Sequence, residues 1–131
     1  MPRFASTSAL LAAVALSAAL PAVASSESSG PGPQAGAARA CNISGQEDSL
    51  GATYVTTLRV SGTTCANAKK VVRAFHACRR RNGGSDGRCR SRVFDYRCSE
   101  RRLNVIRSQY DARVRCTKPG REVFHTYTQN T

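Results

Sequence analysis

The stretch "CANAKKVVRAFHACRRRNGG", residues 65–84, contains the best-defined element of the chain. Apolar residues recur there at steps of three and four, which places them on one stripe of a helix. Thr63 or Thr64 can cap the start by accepting a bond from a free backbone amide, and Asn82-Gly83 suits the end because both residues tolerate the left-handed conformation. The sequence therefore predicts one amphipathic helix whose stripe consists of Cys65, Ala68, Val71, Val72, Phe75 and Cys78.

The segments that flank the helix alternate with a period of two, which is typical of strands. In residues 53–60, "TYVTTLRV", one predicted face carries Tyr54, Leu58 and Val60 together with Thr56. In residues 92–98, "RVFDYRC", one predicted face carries Phe94, Tyr96 and Cys98. Residues 99–108 are ambiguous between a short helix and a covered loop.

Two further strands form a predicted hairpin, residues 110–116 and 121–128, joined by the turn "TKPG" at 117–120, where proline and glycine suit a tight reversal. The order strand, helix and three strands predicts an α+β domain, with a single helix packed on a small antiparallel sheet. The inward side of the first hairpin strand is predicted to carry Tyr110, Ala112, Val114 and Cys116.

The N-terminus has the parts of a secretory signal. A short positive head that ends at Arg3 precedes an uncharged stretch from Phe4 to Leu20, and a small-x-small pattern ends at Ala24. The apolar run is shorter than the roughly 20 residues that a membrane span needs. We expect a signal peptide at 1–24, a flexible Ser/Gly/Pro/Ala leader at 25–40, one domain at 41–131, and a secreted product without a transmembrane anchor.

All six cysteines lie after the predicted signal, and an exported chain meets an oxidising environment in which thiols pair. Their gaps of 24, 13, 11, 9 and 18 residues match no zinc-site spacing, so the sequence predicts disulfides and no metal or other cofactor. Three bridges at roughly 2–4 kcal/mol each would supply much of the net stability of so small a domain. The cysteines are Cys41, Cys65, Cys78, Cys89, Cys98 and Cys116.

The predicted elements favour one of the 15 possible pairings. Cys98 and Cys116 share the buried face of two strands, and Cys78 and Cys89 flank an arginine-rich loop, which leaves Cys41 for Cys65. The alternative is a bridge from Cys65 to Cys98 that would staple the helix to the sheet.

Without the predicted signal, the chain has 19 basic and 8 acidic side chains. Such an excess favours a partner with phosphates, an anionic envelope component or another acidic polymer. The alternative is compositional, since arginine outnumbers lysine 17 to 3 and a GC-rich genome produces that bias. Outward strand positions add Arg97, Arg113, Arg115 and Arg121, and the helix ridge and its following loop supply the predicted anion-binding residues Lys69, Arg73, Arg79, Arg80, Arg81, Arg88 and Arg90.

The positions of the two histidines allow a test of whether the protein is an enzyme. His76 lies at the border of the helix stripe, and His125 and Glu122 are on opposite faces of the last strand because their spacing is odd. They cannot form a local acid–base pair, and no nucleophile elbow or phosphate-binding loop occurs. We expect a non-catalytic domain. The alternatives are a protease inhibitor that presents the braced loop 79–88, and a ribonuclease that depends on His125.

The stretches "VSGTTCANAKKVVRAFHAC", "RVFDYRC", "ARVRC" and "REVFHTYTQ" together resemble a group of small exported cysteine-containing domains of high-GC Gram-positive bacteria. The resemblance spans about residues 50–128, and its most specific parts are V-x-G-x-x-C before the helix and the later Y-x-C. It implies an extracellular fold unit and assigns no catalytic residues.

Overall fold

The computed structural model describes residues 36–131, which contain one long helix on a five-stranded antiparallel sheet. The helix at 65–81 takes the chain from the strand at 54–61 to the far edge of the sheet. An antiparallel meander of the strands at 97–106, 109–118 and 121–130 then returns, and its last strand pairs with 54–61. This confirms the α+β fold with a helix on an antiparallel sheet. The elements are β1 (Arg39–Ala40), β2 (Tyr54–Ser61), α1 (Cys65–Arg81), a short 3-10 helix (Gly84–Asp86), β3 (Arg97–Ile106), β4 (Gln109–Lys118) and β5 (Arg121–Asn130).

Helix α1 begins and ends as its sequence predicts. The Thr64 hydroxyl accepts a bond of 3.2 Å from the Asn67 amide, and at the other end the Asn82 side chain donates to the Cys78 carbonyl over 2.8 Å. The stripe residues Val71, Val72 and Phe75 are buried against the sheet. Burying three such side chains contributes about 1.5–3 kcal/mol each, which seats the helix on the sheet.

Strand β2 differs from its predicted faces. Val55 pairs with Tyr127 and Thr57 pairs with Thr126, so Thr56 is an extra residue, a β-bulge. A bulge exchanges the faces of the residues on one side of it. Val55 is consequently buried, while Tyr54, predicted to share a face with Leu58 and Val60, is 48% exposed.

The predicted strand 92–98 is wrong over most of its length. Val93 and Tyr96 exchange backbone hydrogen bonds of 3.0 and 2.9 Å around Phe94 and Asp95, which have positive φ values of 48° and 65°. The chain therefore reverses in a tight turn, and Phe94 is exposed instead of facing inward. Strand β3 begins only at Arg97 and takes up most of the segment 99–108 that was ambiguous.

The three disulfides are Cys41–Cys65, Cys78–Cys89 and Cys98–Cys116. They confirm the favoured pairing, and the alternative bridge from Cys65 to Cys98 is wrong. Cys98 and Cys116 are directly opposite each other on β3 and β4, which is why their shared face brings them together.

The leader predicted at 25–40 ends in ordered structure, because Arg39 and Ala40 form β1 and pair with Val60 and Arg59 of β2. The predicted signal at 1–24 and residues 25–35 lie outside the described residues. Of the helices in residues 36–131, none combines the length and the apolar character that crossing a bilayer requires.

Candidate functional site

Lys69, Arg73 and Arg80 form a basic ridge on α1, and this ridge already makes hydrogen bonds within the domain. Lys69 donates to the Gln46 side chain over 3.0 Å, Arg73 donates to the Ser49 carbonyl over 3.3 Å, and Arg80 donates to the Gly51 carbonyl. The segment 46–51 thus lies along the ridge and uses part of its hydrogen-bonding capacity.

Arg79, predicted to bind an anion at the surface, is instead 1% exposed. Its guanidinium donates to the carbonyls of Gly87 (3.2 Å) and Ser85 (2.8 Å) and to the Tyr110 hydroxyl. Position 79 lies four residues after Phe75 and so continues the apolar stripe, a signal that the run of arginines concealed. The side chain closes the loop 82–88 onto the core and is unavailable to a ligand.

The charge of Arg79 is balanced inside the domain by Glu100 of β3, whose side chain is 6% exposed. Nε of Arg79 lies 3.4 Å from Oε2 of Glu100, and Arg102 donates to Oε1 of the same carboxylate over 2.6 Å. Arg88 approaches this carboxylate at 3.8 Å from a half-exposed position. Breaking a buried pair of this kind by removing one partner is strongly destabilising.

His76 and His125 are both fully buried, and their Nε2 atoms lie 3.2 Å apart. Arg79 lies 2.9 Å from Nδ1 of His76, and because a guanidinium only donates, His76 must carry its proton on Nε2. Nε2 of His125 then accepts, which places the His125 proton on Nδ1, an atom without a hydrogen-bond partner among residues 36–131.

Burial holds both imidazoles neutral. Burial, followed by the charges of His125, Arg79 and Arg80, lowers the pKa of His76 to about 2. Burial and then the charge of Arg79 lower the pKa of His125 to about 3. His125 lies in the interior of the domain, with Phe75 and Tyr127 as aromatic neighbours.

The loop 79–88, which the inhibitor alternative would present to a protease, is mostly helical. Residues 79–81 are the last turn of α1, and Gly84–Asp86 form the 3-10 helix. At the end of this loop, Arg88 and Arg90 line a hollow of about 440 Å³, and Asp86 lines it too.

The sheet has a second face, which α1 does not cover. In β4 the side chains that face the helix alternate with exposed ones, and the register continues that alternation across the sheet. The predicted outward positions 97, 113 and 115 lie on this open face, which therefore carries five arginines: Arg59, Arg97, Arg101, Arg113 and Arg115.

Arg101 and Arg113 are direct cross-strand partners on β3 and β4. Like charges placed opposite each other destabilise a sheet. Neither acid of the open face offsets them: Glu122 binds Arg115 over 2.6 Å, and Asp111 accepts bonds from Asn104 and Thr128. A shallow groove of about 200 Å³ runs past the pair and is lined also by Ser99, Arg115 and Phe124.

An aromatic ring accompanies these charges. Phe124 of β5 lies between its register partners Arg59 on β2 and Arg115 on β4, and it is only partly buried. Tyr54, which the bulge turns outward, is near one end of the same face. The open face therefore combines arginine with rings suited to stacking.

Comparison of the sequence with protein-family models, with curated proteins and with solved structures finds no match. The resemblance to small exported domains of high-GC Gram-positive bacteria stays a prediction.

Proposed function

We propose that this protein is a secreted, non-catalytic domain that binds an anionic polymer, such as a phosphate-containing envelope component, through the open face of its sheet. The observation that carries the proposal is the Arg101–Arg113 pair on a grooved surface, two directly opposed cations that have no acidic partner among residues 36–131. An anion placed between them removes their repulsion, so binding is favoured at this point more than at an isolated arginine.

The spacing of the arginines suits a polymer with repeated charges. Arg113 and Arg115 are two residues apart on one strand, a separation of about 7 Å, and Arg101 lies one strand away, at about 5 Å. Arginine forks can bind successive phosphates or carboxylates with two bonds each. Phe124 adds a surface on which a ring or base can stack.

Three disulfides are typical of proteins that leave the reducing cytosol, and they support an extracellular location. Secretion through the signal predicted at 1–24 is the route that we propose. Outside the cell, the anionic partners are wall polymers, nucleic acid and membrane headgroups, and all of them carry the charge that the open face requires.

The test is the salt dependence of binding to a 12-nucleotide single-stranded DNA and to heparin. For the DNA, the logarithm of the affinity should fall by about 0.7 per logarithm of salt for each phosphate contacted. The double variant R101Q/R113Q should lower that slope by about 1.4 and weaken binding at low salt by about tenfold for each arginine.

The matched control is R81Q/R90Q, which removes the same charge from exposed positions near the end of α1. It should change the slope little. If the two double variants weaken binding equally, the attraction is one of overall charge and the proposed site is wrong. If R81Q/R90Q has the larger effect, the polymer binds at the helix end.

A further inference from the structure

A separate cleft of about 290 Å³ lies on the helix side of the domain. It opens between the first turns of α1, the turn at 93–96 and the β4–β5 hairpin. The residues that shape it are Lys70, Val71, Phe94, Tyr96, Lys118 and Arg121. Its volume is near the lower end of the range for small-molecule sites and suits one ring system.

The cleft has a positive rim. Lys70, Lys118 and Arg121 line it, and within the part of the chain that the structure describes no aspartate or glutamate does. Lys118 is held in place, because its ammonium donates to the Phe94 carbonyl over 3.2 Å and lies 4.5 Å from the centre of the Tyr96 ring. Lys70 and Arg121 are exposed, so their charged groups can contact a ligand at the mouth.

The wall of the cleft is apolar. Val71 and Tyr96 are each 3% or less exposed as parts of the core, whereas Phe94 keeps 60% of its surface exposed at the rim. Phe94 and the following Asp95 have positive φ values of 48° and 65°. Aspartate adopts this conformation more readily than most residues, but it is unfavourable for the bulky Phe94. The turn thus holds an aromatic ring at the surface against both its backbone preference and its hydrophobicity.

We infer that this cleft binds a small aromatic carboxylate. The ring of the ligand packs between Phe94 and the wall formed by Val71 and Tyr96, and its carboxylate is bound by Lys70 and Arg121. A neutral aromatic molecule lacks the partner for the rim, and a small anion without a ring leaves Phe94 uncovered. The site is on the helix side of the sheet and does not depend on the open face.

The test is a titration of the uniformly ¹⁵N-labelled, disulfide-bonded protein with 2-naphthoate, followed by amide chemical shifts. A ligand of this size should bind with a dissociation constant of about 1 mM or tighter. The largest shifts should occur at Asn67, Val71, Phe94 and Tyr96. Acetate and the neutral 2-naphthalenemethanol should each bind at least about tenfold more weakly, since each lacks one of the two contacts.

Three variants examine the contacts separately. F94A should weaken 2-naphthoate binding about tenfold, and K70Q and R121Q about five- to tenfold each. R81Q and V105A, at exposed positions outside the cleft, are the matched controls and should bind as the unchanged protein does. If F94A loosens the turn, the exposed positions 70 and 121 still decide the question, because their side chains do not support the fold.

Equal binding of the alcohol and the carboxylate would overturn the inference, and so would shifts centred on the open face or unchanged affinity in both K70Q and R121Q. A failure of polyanion binding in R101Q/R113Q does not affect this cleft, so the two proposals fail independently.

Discussion

Lowering the pH from 7 to 5 should destabilise the domain, because folding buries two histidines in their neutral form. His76 and His125 are 0% exposed. Their folded pKa values are lowered to about 2 and about 3, chiefly by burial, from the ordinary value of 6.5. In the unfolded chain both imidazoles regain that ordinary value and take up protons as the pH falls through it.

The sign follows from the proton count. Below pH 6.5 the unfolded state binds one more proton at each histidine than the folded state does, so acid favours unfolding. The stability that the two neutral histidines contribute is fully present above pH 6.5, and it is lost progressively as the pH falls until it reaches their folded pKa values. Each histidine contributes a slope of about 1.4 kcal/mol per pH unit, which amounts to about 4 kcal/mol for both between pH 7 and pH 5 and to about 6–7 kcal/mol by pH 4. The total free energy of unfolding of a small domain is about 5–15 kcal/mol.

The assay is urea denaturation at half-unit steps from pH 7.5 to pH 4, with the free energy of unfolding extrapolated to zero urea. Asn104 and Thr128 lower the pKa of the Asp111 carboxyl, so that group loses its contribution only at still lower pH. In H125Q the glutamine carbonyl can still accept from Nε2 of His76, and the slope between pH 6 and pH 4.5 should fall by half. NMR of the ring nitrogens should find the proton of His76 on Nε2 and that of His125 on Nδ1.

A stability that changes by less than about 1 kcal/mol between pH 7 and pH 5 would refute the reasoning, since linkage requires the loss once two neutral histidines are buried. An undiminished slope in H125Q would show that other groups take up the protons.

Two further perturbations test how the domain is held together. R79K replaces the forked guanidinium that donates to two loop carbonyls and faces a buried carboxylate. It should lower the free energy of unfolding, measured by urea denaturation, by about 3 kcal/mol or more. R81K, at the exposed end of the same helix, should lower it by less than about 0.5 kcal/mol. Replacing Cys41 and Cys65 together by alanine removes a disulfide between residues 24 positions apart in the chain. The double variant should lower the free energy of unfolding by about 3 kcal/mol, with a matching fall in melting temperature.

The buried cluster around Arg79 shows where local reasoning stops. The three-and-four spacing identifies position 79 as part of the stripe, but an arginine can be buried there only because Glu100 and Tyr110 come from strands much later in the chain. A run of three arginines reads as a solvated helix end when those partners are not visible. Tertiary contacts therefore decided which of the three became part of the core.

The candidate site shows the same limit. Alternation in 110–116 placed Arg113 and Arg115 outward, which the structure confirms. The opposition of Arg101 and Arg113 depends on the register between β3 and β4, and that register depends on where β3 begins. The turn at Phe94 and Asp95 sets that starting point, although a phenylalanine does not predict a left-handed turn.

The sequence by itself determined the helix with its cap and the hairpin of β4 and β5. It favoured the three disulfide pairs but left a Cys65–Cys98 bridge as an alternative. These features depend on periodicity and spacing within short segments, where the backbone leaves few choices. The bulge in β2, the turn before β3, the internal Arg79 and the paired arginines of the open face were decided only in the tertiary structure. Each of them depends on a contact between residues distant in the chain, whose energy offsets a local preference for something else.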